Sequence, residues 1–393
     1  MTRRLSSQQP IARKGQARDL AHNPPAALRA AAAPPERGVV SEHDEDDPPE
    51  GTGAAVLSLE EKAQKISALL GRTVDSVVPS PRQEGYRARI LLRPGKGGQL
   101  GYTLPGSHTP APIASNRFAR PELAALAQRL PPLPGFAGVE LRTDGERIVI
   151  CGQSTARHGQ QRGKRGADDR GTLARRLGEA IDGLGPEGAL IGASIDGRTV
   201  RGDPVLHPLV HGHRLRVGPN SFFQVNLEIN ERMVAAVQAR LLAEAPSRVL
   251  DLYAGVGNLT LGLAHAGVDL TLIESAPGSV GDATKTAAAW GLPPARCDIR
   301  RADAHRFACG DAFFDLAVLD PPRIGAGNVL AQLALTRPRL ILYVSCNPHA
   351  LAKDLEQARA AGYQISELVV FDMFPGTEHA EVLCALRPAV AQR

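Results

Sequence analysis

Cysteine, aromatic residues and long apolar stretches are scarce in this 393-residue sequence. Its five cysteines are widely spaced and include no C-x-x-C pair. This spacing argues against a disulfide framework, a zinc site or an iron–sulfur cluster, and it fits reduced thiols in the cytosol. No run of about 18 or more apolar residues occurs, and the N-terminus lacks the apolar core of a signal peptide. We therefore expect a cytoplasmic monomer that does not contact a membrane.

A strong excess of one charge is also absent. Lys and Arg number 46 and Asp and Glu number 41, so the formal net charge is +5. This balance permits a polyanionic partner but does not identify one, because many basic proteins bind no nucleic acid. Hydrophobic residues make up 43% of the chain, enough for cores in two or three domains.

Residues 1–55 contain few large apolar side chains and are rich in Ala, Pro, Arg and Ser. A basic half is followed by an acidic run at positions 42–50. This composition predicts a disordered tail. It fits a solvated tail, a basic arm that contacts RNA, or an organelle transit segment.

Residues 56–218 have the pattern of a smaller α+β domain that is mostly antiparallel. Leu59–Leu70 has the periodicity of an amphipathic helix, and residues 86–92 resemble a strand. Two hairpins are predicted where short apolar runs flank Asp144-Gly145 and Asp196-Gly197. A polar stretch between the hairpins is either a phosphate-contacting loop or a solvated insertion. Its basic residues are Arg157, Arg162, Lys164, Arg165, Arg170, Arg175 and Arg176.

Residues 219–393 change character and alternate between strand and helix patterns. A helix is predicted at Leu227–Ala243, and five short apolar runs of the buried parallel type follow it. Their spacing predicts an α/β fold with a doubly wound, Rossmann-like sheet. The five runs are 248–252, 270–274, 299–302, 316–319 and 340–345.

The first of these runs leads into a glycine-rich turn, Asp251-Leu-Tyr-Ala-Gly-Val-Gly-Asn258. The spacing matches neither G-x-G-x-x-G nor G-K-[ST], so a dinucleotide or a nucleoside triphosphate is disfavoured. S-adenosylmethionine has no phosphate and needs close backbone approach instead. Glu274 ends the second strand, where a carboxylate can bind ribose hydroxyls, and Asp303 after the third could reach an adenine edge. The turn alone would also fit any glycine-rich βα connection.

Two further motifs follow the fourth and fifth strands, Asp320-Pro-Pro-Arg323 and Ser345-Cys346-Asn347-Pro348. Carboxyl ends of parallel strands are where ligands bind in open α/β sheets. Pro348 fits the first turn of a helix, which would put Cys346 at a helix N-terminus that favours the thiolate. A cysteine taken alone is more often structural than catalytic. We expect the other four cysteines to be buried or inert.

Three titratable residues, Glu378, His379 and Glu381, come just before a final strand predicted at 382–386. A thiolate, a base and a methyl donor are sufficient to methylate C5 of a uracil. Addition of the thiolate at C6 makes C5 nucleophilic, and the base then removes the C5 proton.

Five blocks in order make the chain resemble the RNA uracil-C5 methyltransferase family, whose members act on tRNA or 23S rRNA. The blocks are, in chain order, Ser221–Asn226, the turn at 251–258, Asp320–Arg323, Ser345–Pro348 and Phe374–Glu381. The resemblance implies Cys346 as nucleophile, Glu381 as base and RNA as partner. The cofactor-binding residues expected from the turn and the resemblance are Gln224, Tyr253, Gly255, Gly257, Asn258, Glu274, Asp303 and Asp320.

Two features of the family are missing. Many members carry N-terminal cysteines that hold a 4Fe–4S cluster, and some carry an RNA-binding β-barrel. Here no cysteine precedes Cys151, and residues 1–55 cannot form a barrel. We therefore expect S-adenosylmethionine without a metal or an iron–sulfur cluster, and the target RNA stays open.

Three alternatives are weighed against this function. An RNA cytosine-C5 methyltransferase would carry a cysteine directly after Pro321, where this chain has Pro322 and Arg323. An amino-methylating enzyme would carry an aromatic residue at position 323. A non-catalytic RNA-binding factor on the same scaffold would not need Cys346 and Glu381.

Overall fold

The computed structural model describes residues 57–103, 110–113, 116–155, 165–184, 188–307 and 313–389. The expected disordered tail and part of the basic stretch, including Arg157, Arg162 and Lys164, lie outside these residues. The elements of the first half, in chain order, are α1 Leu59–Leu70, β1 Ser76–Val78, β2 Arg89–Pro94, β3 Leu100–Thr103, β4 Pro110–Ala111, α2 Pro121–Arg129, β5 Phe136–Thr143, β6 Ile148–Ser154, α3 Arg165–Leu184, β7 Leu190–Ile195, β8 Arg198–Gly202, β9 Leu209–Val210 and β10 His213–Arg214.

The second half contains the larger sheet. Its elements are α4 Leu227–Ala243, β11 Arg248–Leu252, β12 Asp269–Glu274, α5 Pro277–Ala289, β13 Cys297–Arg301, β14 Leu316–Leu319, α6 Val329–Ala334, β15 Leu340–Ser345, α7 Pro348–Ala360, β16 Tyr363–Phe371 and β17 Glu381–Pro388.

The larger sheet has eight strands in the order β1-β16-β17-β15-β14-β11-β12-β13. Strands β11 to β15 are parallel to one another, and β17 is antiparallel to both β15 and β16. Strand order reverses at β11, with β12 on one side and β14 on the other, which makes the topological switch point where α/β sheets bind ligands. The predicted doubly wound α/β domain is confirmed.

Alternate residues of β11 face opposite sides of this sheet, and both sides are buried. Val249 packs in a core with Ile229 of α4, whereas Leu250 packs in a second core with Leu351 of α7. Burial on both faces explains why these strands have continuous apolar sequences rather than alternating ones.

The smaller sheet has the order β4-β3-β2-β5-β6-β7-β8 and its own core with α2 and α3. The hairpins predicted around Asp144-Gly145 and Asp196-Gly197 are present as β5–β6 and β7–β8. Pairing within this sheet is antiparallel except between β6 and β7, which α3 connects.

The basic stretch is a helix from Arg165 onward, where the sequence analysis left a phosphate-contacting loop and a solvated insertion open. Leu173 and Leu177, four residues apart, are fully buried in the core of the smaller sheet. Only these few apolar positions interrupt a highly polar sequence, and for that reason the helical periodicity was missed. Arg175 and Arg176 lie on the same helix.

The first helix, α1, begins with a capping box in which Ser58 and Glu61 bind each other's backbone amides, and it ends at Gly71 in a left-handed conformation. Although α1 and β1 precede the smaller sheet in the chain, β1 pairs with β16 of the larger one. The division of the chain at residues 55 and 218 stays a prediction.

Candidate active site

The predicted site residues other than Gln224 lie at or near one edge of the larger sheet. The carboxyl ends of β11, β12, β14 and β15 meet there because these strands are parallel. The start of β17 reaches the same edge because β17 runs in the opposite direction.

The turn after β11 is built from unusual backbone conformations. Tyr253, Gly255 and Gly257 all have positive φ angles of 62°, 56° and 84°. A Cβ on Gly257 would lie 2.8 Å from the Cβ of Leu261, so the turn packs tightly on that side. A Cβ on Gly255 would meet nothing within 4 Å. The turn therefore presents open space at Gly255, where a ligand can approach the backbone.

Glu274, at the end of β12, stabilises this turn through hydrogen bonds to backbone amides. One carboxylate oxygen accepts a hydrogen bond from the Gly255 amide at 2.9 Å, and the other accepts from the Ala276 amide at 2.6 Å. The latter oxygen, Oε1, also accepts a hydrogen bond from the Ser275 hydroxyl at 3.3 Å, whereas Oε2 can accept a second one. The predicted contact with ribose hydroxyls is compatible with this geometry and stays a prediction.

Asp251 is buried at the end of β11 and has an unsatisfied oxygen. Its Oδ2 accepts a hydrogen bond from the Thr260 hydroxyl, whereas Oδ1 has no partner among the described residues. Burial raises the pKa of Asp251 to about 7, and the nearby charges of Asp320 and Glu274 contribute to the rise. Burial, and next the charge of Glu274, also raise the pKa of Asp320. Three carboxyl groups thus share a site that favours a cationic ligand.

The remaining predicted cofactor residues are Asn258, Tyr253, Asp303 and Gln224, and each makes its own contacts. Asn258 exchanges two hydrogen bonds, of 3.0 and 2.7 Å, with Asn230 of α4. The Tyr253 hydroxyl lies 3.3 Å from Nε2 of His305, and Asp303 accepts a hydrogen bond from the His305 amide at 3.0 Å. Gln224 lines a groove with Phe223, Arg89 and Arg142, between the start of α4 and the smaller sheet.

Cys346 follows β15 and is half-buried. Asn347 caps α7 by accepting hydrogen bonds from the amides of His349 and Ala350, so Cys346 lies just before the helix N-terminus. Ser345 pairs with Val382 in the antiparallel register of β15 and β17. Continued by one residue, this register would place Glu381, which is only 3% exposed, next to Cys346. Glu378, by contrast, is exposed.

Arg323 also belongs to this site, although the sequence analysis gave it no role of its own within the Asp320–Arg323 motif. Nδ2 of Asn347 donates a hydrogen bond to the Arg323 carbonyl oxygen at 2.9 Å. The Arg323 guanidinium lies 3.5 Å from Nδ1 of His379. Arg323 thus links the Cys346 segment to the segment before Glu381. Its position directly after the fourth strand was the signal that could have identified it.

Three side chains from other parts of the chain form hydrogen bonds with residues 372–375, in the segment before Glu381. Nζ of Lys62, on α1, donates hydrogen bonds to Asp372 at 2.8 Å and to the Phe374 carbonyl at 3.0 Å. The Tyr86 hydroxyl bonds the Pro375 carbonyl at 3.3 Å, and Asn226 bonds the Met373 carbonyl at the same distance. Lys62 is 2% exposed, so its pair with Asp372 is a buried ion pair.

Three other cysteines lie in apolar surroundings. Burial raises the pKa of Cys151, that of Cys297 to about 11 and that of Cys384 to about 12. These groups are neutral thiols near pH 7 and therefore poor nucleophiles. Cys309 lies outside the described residues.

Two searches of the described residues gave negative results. No group of three or more His, Cys, Asp or Glu residues has the geometry to hold a metal ion in this part of the chain. None of the described helices combines the length and apolarity that a membrane span requires.

Comparison with known proteins identifies the family. A model described as tRNA (uracil-5-)-methyltransferase matches residues 298–387. The 23S rRNA (uracil(1939)-C(5))-methyltransferase of Salmonella choleraesuis is 31% identical over 330 residues, which are 83% of this chain and 75% of that protein. This chain belongs to the RNA uracil-C5 methyltransferase family. The resemblance drawn from the five sequence blocks is confirmed.

Other relatives match over a shorter range. The enzyme of the same description from Shewanella amazonensis is 40% identical over 181 residues, and that from Edwardsiella ictaluri is 37% identical over 182. In these two matches the chain spans 39% and 42% of the relative's length.

A solved structure shares the fold across most of the chain. It is the tRNA (uracil-54, C5)-methyltransferase of Pyrococcus abyssi in complex with S-adenosyl-L-homocysteine. The TM-score is 0.64 at 24% identity, and the match covers 84% of this chain and 82% of the other. The predicted methyltransferase fold is thereby confirmed.

Proposed function

We propose that this protein uses S-adenosylmethionine to methylate C5 of a uridine in tRNA or 23S rRNA, through a covalent bond between Cys346 and C6. The observation that carries the proposal is the pairing of Ser345 with Val382, which puts the neighbouring residues Cys346 and Glu381 at the same end of the paired strands β15 and β17. This pair lies at the same sheet edge as the open turn at Gly255. A base, a nucleophile and a methyl-donor site therefore lie at the same end of the consecutive strands β17, β15, β14 and β11.

The cofactor site fits S-adenosylmethionine on charge. The molecule carries a cationic sulfonium and an ammonium group, and the site offers Asp251, Glu274 and Asp320. The buried Oδ1 of Asp251 lacks a partner, which a cationic donor group would supply. When bound, S-adenosylmethionine would supply a methyl group that is electrophilic because it is bonded to a positive sulfur, and the S–CH3 bond electrons would stay on that sulfur as the neutral thioether that leaves.

Cys346 begins the reaction. Its thiolate adds to C6 of the uracil, and the C5–C6 π electrons move to C5 and the O4 oxygen as an enolate. The N-terminus of α7 favours the thiolate through its dipole. Arg323 supplies a fixed positive charge beside this site, which stabilises the negative charge that develops on the ring.

Glu381 completes the reaction. After C5 has formed its bond to the methyl carbon, C5 still carries its hydrogen. The Glu381 carboxylate takes that proton, and the electron pair of the C5–H bond restores the C5–C6 double bond. As that double bond forms, the C6–S bond breaks and its electron pair returns to Cys346 as the thiolate.

Residues 56–218 are proposed to contact the RNA. The described part of α3 carries Arg170, Arg175 and Arg176, which can contribute phosphate contacts. A uridine in a loop or an unstacked segment is the preferred target, since a base inside a helix hides C5 and C6. Extruding such a base costs on the order of a few kcal/mol.

Cofactor affinity should rise with pH between about 6 and 8. A carboxyl whose pKa is raised to about 7, as for Asp251, is mostly neutral below that pH and charged above it. A cationic cofactor binds the charged form better, so its affinity should increase by up to about tenfold per pH unit for one linked proton. Calorimetry with S-adenosylmethionine across this range measures the effect. In Asp251→Asn, affinity should be lower and should rise less steeply with pH, because Asp320 with its raised pKa still titrates. A flat profile for the parent would contradict the assignment.

Nucleoside analysis tests the function itself. The protein is incubated with unmodified tRNA or 23S rRNA fragments and S-adenosylmethionine, and the RNA is digested and examined by mass spectrometry. We expect 5-methyluridine to appear in one of the two RNAs and only when the cofactor is present. The appearance of 5-methylcytidine instead would support the cytosine alternative. Tight RNA binding without any methylated nucleoside would support a non-catalytic factor.

A further inference from the structure

A buried carboxylate on α7, Asp354, binds the loop that follows Arg323. Asp354 is 4% exposed. Its Oδ2 accepts hydrogen bonds from the Ala326 amide and from the Tyr343 hydroxyl, both at 2.6 Å, and its Oδ1 accepts from the Gly327 amide at 3.1 Å. The proposed reaction uses neither Asp354 nor Tyr343. A buried carboxylate with three donors is nevertheless a strong, directional anchor.

The same helix holds the other end of this loop. Asn347, at the start of α7, donates a hydrogen bond to the Arg323 carbonyl. Between these two anchors the chain passes so close to α7 that a Cβ on Gly325 would lie 2.6 Å from Oδ2 of Asp354. Gly325 also has a φ of 91°, which favours glycine. The loop is therefore fixed to α7 at two points, its N-cap Asn347 and Asp354, and Cys346 directly precedes that N-cap.

We infer that Asp354, supported by Tyr343, is a positioning residue that sets the direction of the Arg323 side chain relative to Cys346 and His379. Two anchors on one rigid helix define where the Arg323 guanidinium can point, whereas Asn347 alone would leave the loop free to pivot. The inference rests on the proposed function because its effect is measured on that reaction. Asp354 does not touch the reacting atoms.

Asp354→Asn is the variant that tests this role. The amide keeps one acceptor oxygen, but its NH2 group cannot accept a hydrogen bond from a backbone amide. The loop should shift by a fraction of an ångström, and kcat should fall by about 10- to 100-fold, because such misplacements are costly near the reacting atoms. The dissociation constants for S-adenosylmethionine and RNA should change less than about twofold. Tyr343→Phe removes one donor and should give a smaller loss of kcat.

Asp315→Asn is a matched control. Asp315 also accepts hydrogen bonds from two backbone amides, those of Ser247 and Arg248, at 2.8 and 2.9 Å. It precedes β14 and lies at the opposite edge of the sheet from Cys346. Its replacement should lower stability to a similar degree without changing kcat.

A double-mutant cycle separates positioning from general damage. In single-turnover assays, Asp354→Asn should slow the parent by at least about tenfold but should slow Arg323→Ala less than about twofold. Equal losses in both backgrounds, or equal losses of kcat in Asp354→Asn and Asp315→Asn, would overturn the inference. Failure of the proposed function would be distinct, because the parent itself would then form no 5-methyluridine. In that case faster deuterium exchange at Ala326 and Gly327 in Asp354→Asn would still support the anchoring, and unchanged exchange would refute it.

Discussion

Replacing Cys346 with alanine should abolish both the formation of 5-methyluridine and the covalent protein–RNA complex. Without the thiolate, no bond to C6 forms and C5 stays too weak a nucleophile to accept a methyl group. The measurement is a denaturing gel with labelled RNA, together with nucleoside analysis. Cys384→Ala is the control, since Cys384 lies in the core and its raised pKa of about 12 keeps it a neutral thiol. It should retain turnover.

Glu381→Gln should fail at a later step. Addition and methyl transfer do not need the carboxylate, but the C5 proton then stays and the C6–S bond cannot break. Turnover should fall by about 100- to 10,000-fold, the range typical for loss of a general base. The shifted protein–RNA band should be strong, whereas the parent shows a faint or transient one. Glu356→Gln, an exposed carboxylate on α7, is the control and should behave as the parent.

Near-parent turnover of Glu381→Gln without a trapped band would show that Glu381 is not the base. His379 and Glu378 would then be the candidates to test. A trapped band with Cys346→Ala would contradict the covalent mechanism as a whole.

Replacing Lys62 with methionine should lower the free energy of unfolding by about 3–5 kcal/mol. The substitution leaves the carboxylate of Asp372 buried without its cation, and the cost of such an unpaired charge dominates the effect. Urea denaturation followed by circular dichroism measures the change. Lys65→Met is the matched control on α1 because Lys65 is exposed, and it should change stability by less than about 0.5 kcal/mol.

The double variant Lys62→Met with Asp372→Leu should recover much of the lost stability, since an apolar pair avoids the buried charge. A loss below about 1 kcal/mol in Lys62→Met alone would mean that water reaches Asp372 and that the pair is not buried in solution.

Elements with a strong local signal could be predicted from the sequence. The apolar runs of β11, β14 and β15 identify buried parallel strands. The apolar periodicity of α1 predicts a helix over the same residues that the structure shows, and that helix begins with a capping box. Strand β16 was missed because Gln364, Ser366 and Glu367 interrupt its first half, which lies near the sheet edge and is partly exposed. Helix α3 was missed because its sequence is mostly polar, and its buried face is marked by only a few apolar residues such as Leu173 and Leu177.

The site could be predicted only in part, since its chemistry depends on contacts between distant segments. The motif around Cys346 and the carboxyl-end rule identify the nucleophile, but the placement of Glu381 at the same end of the strands requires the antiparallel register of β17. The pair of Lys62 with Asp372 joins residues 310 positions apart, and no local pattern reports it. Asp354 has an unremarkable helical context, and only the structure connects it to Arg323.

The central claim is that Cys346 bonds to a uridine whose C5 receives the methyl group. Mass spectrometry of the complex trapped with Glu381→Gln, after digestion of both protein and RNA, tests it most directly. We predict a peptide in which the sulfur of Cys346 carries a uridine nucleotide with one added methyl group at C5. A nucleotide bonded to another residue, a bonded cytidine, or an unmodified Cys346 peptide alongside normal 5-methyluridine formation by the parent would contradict it.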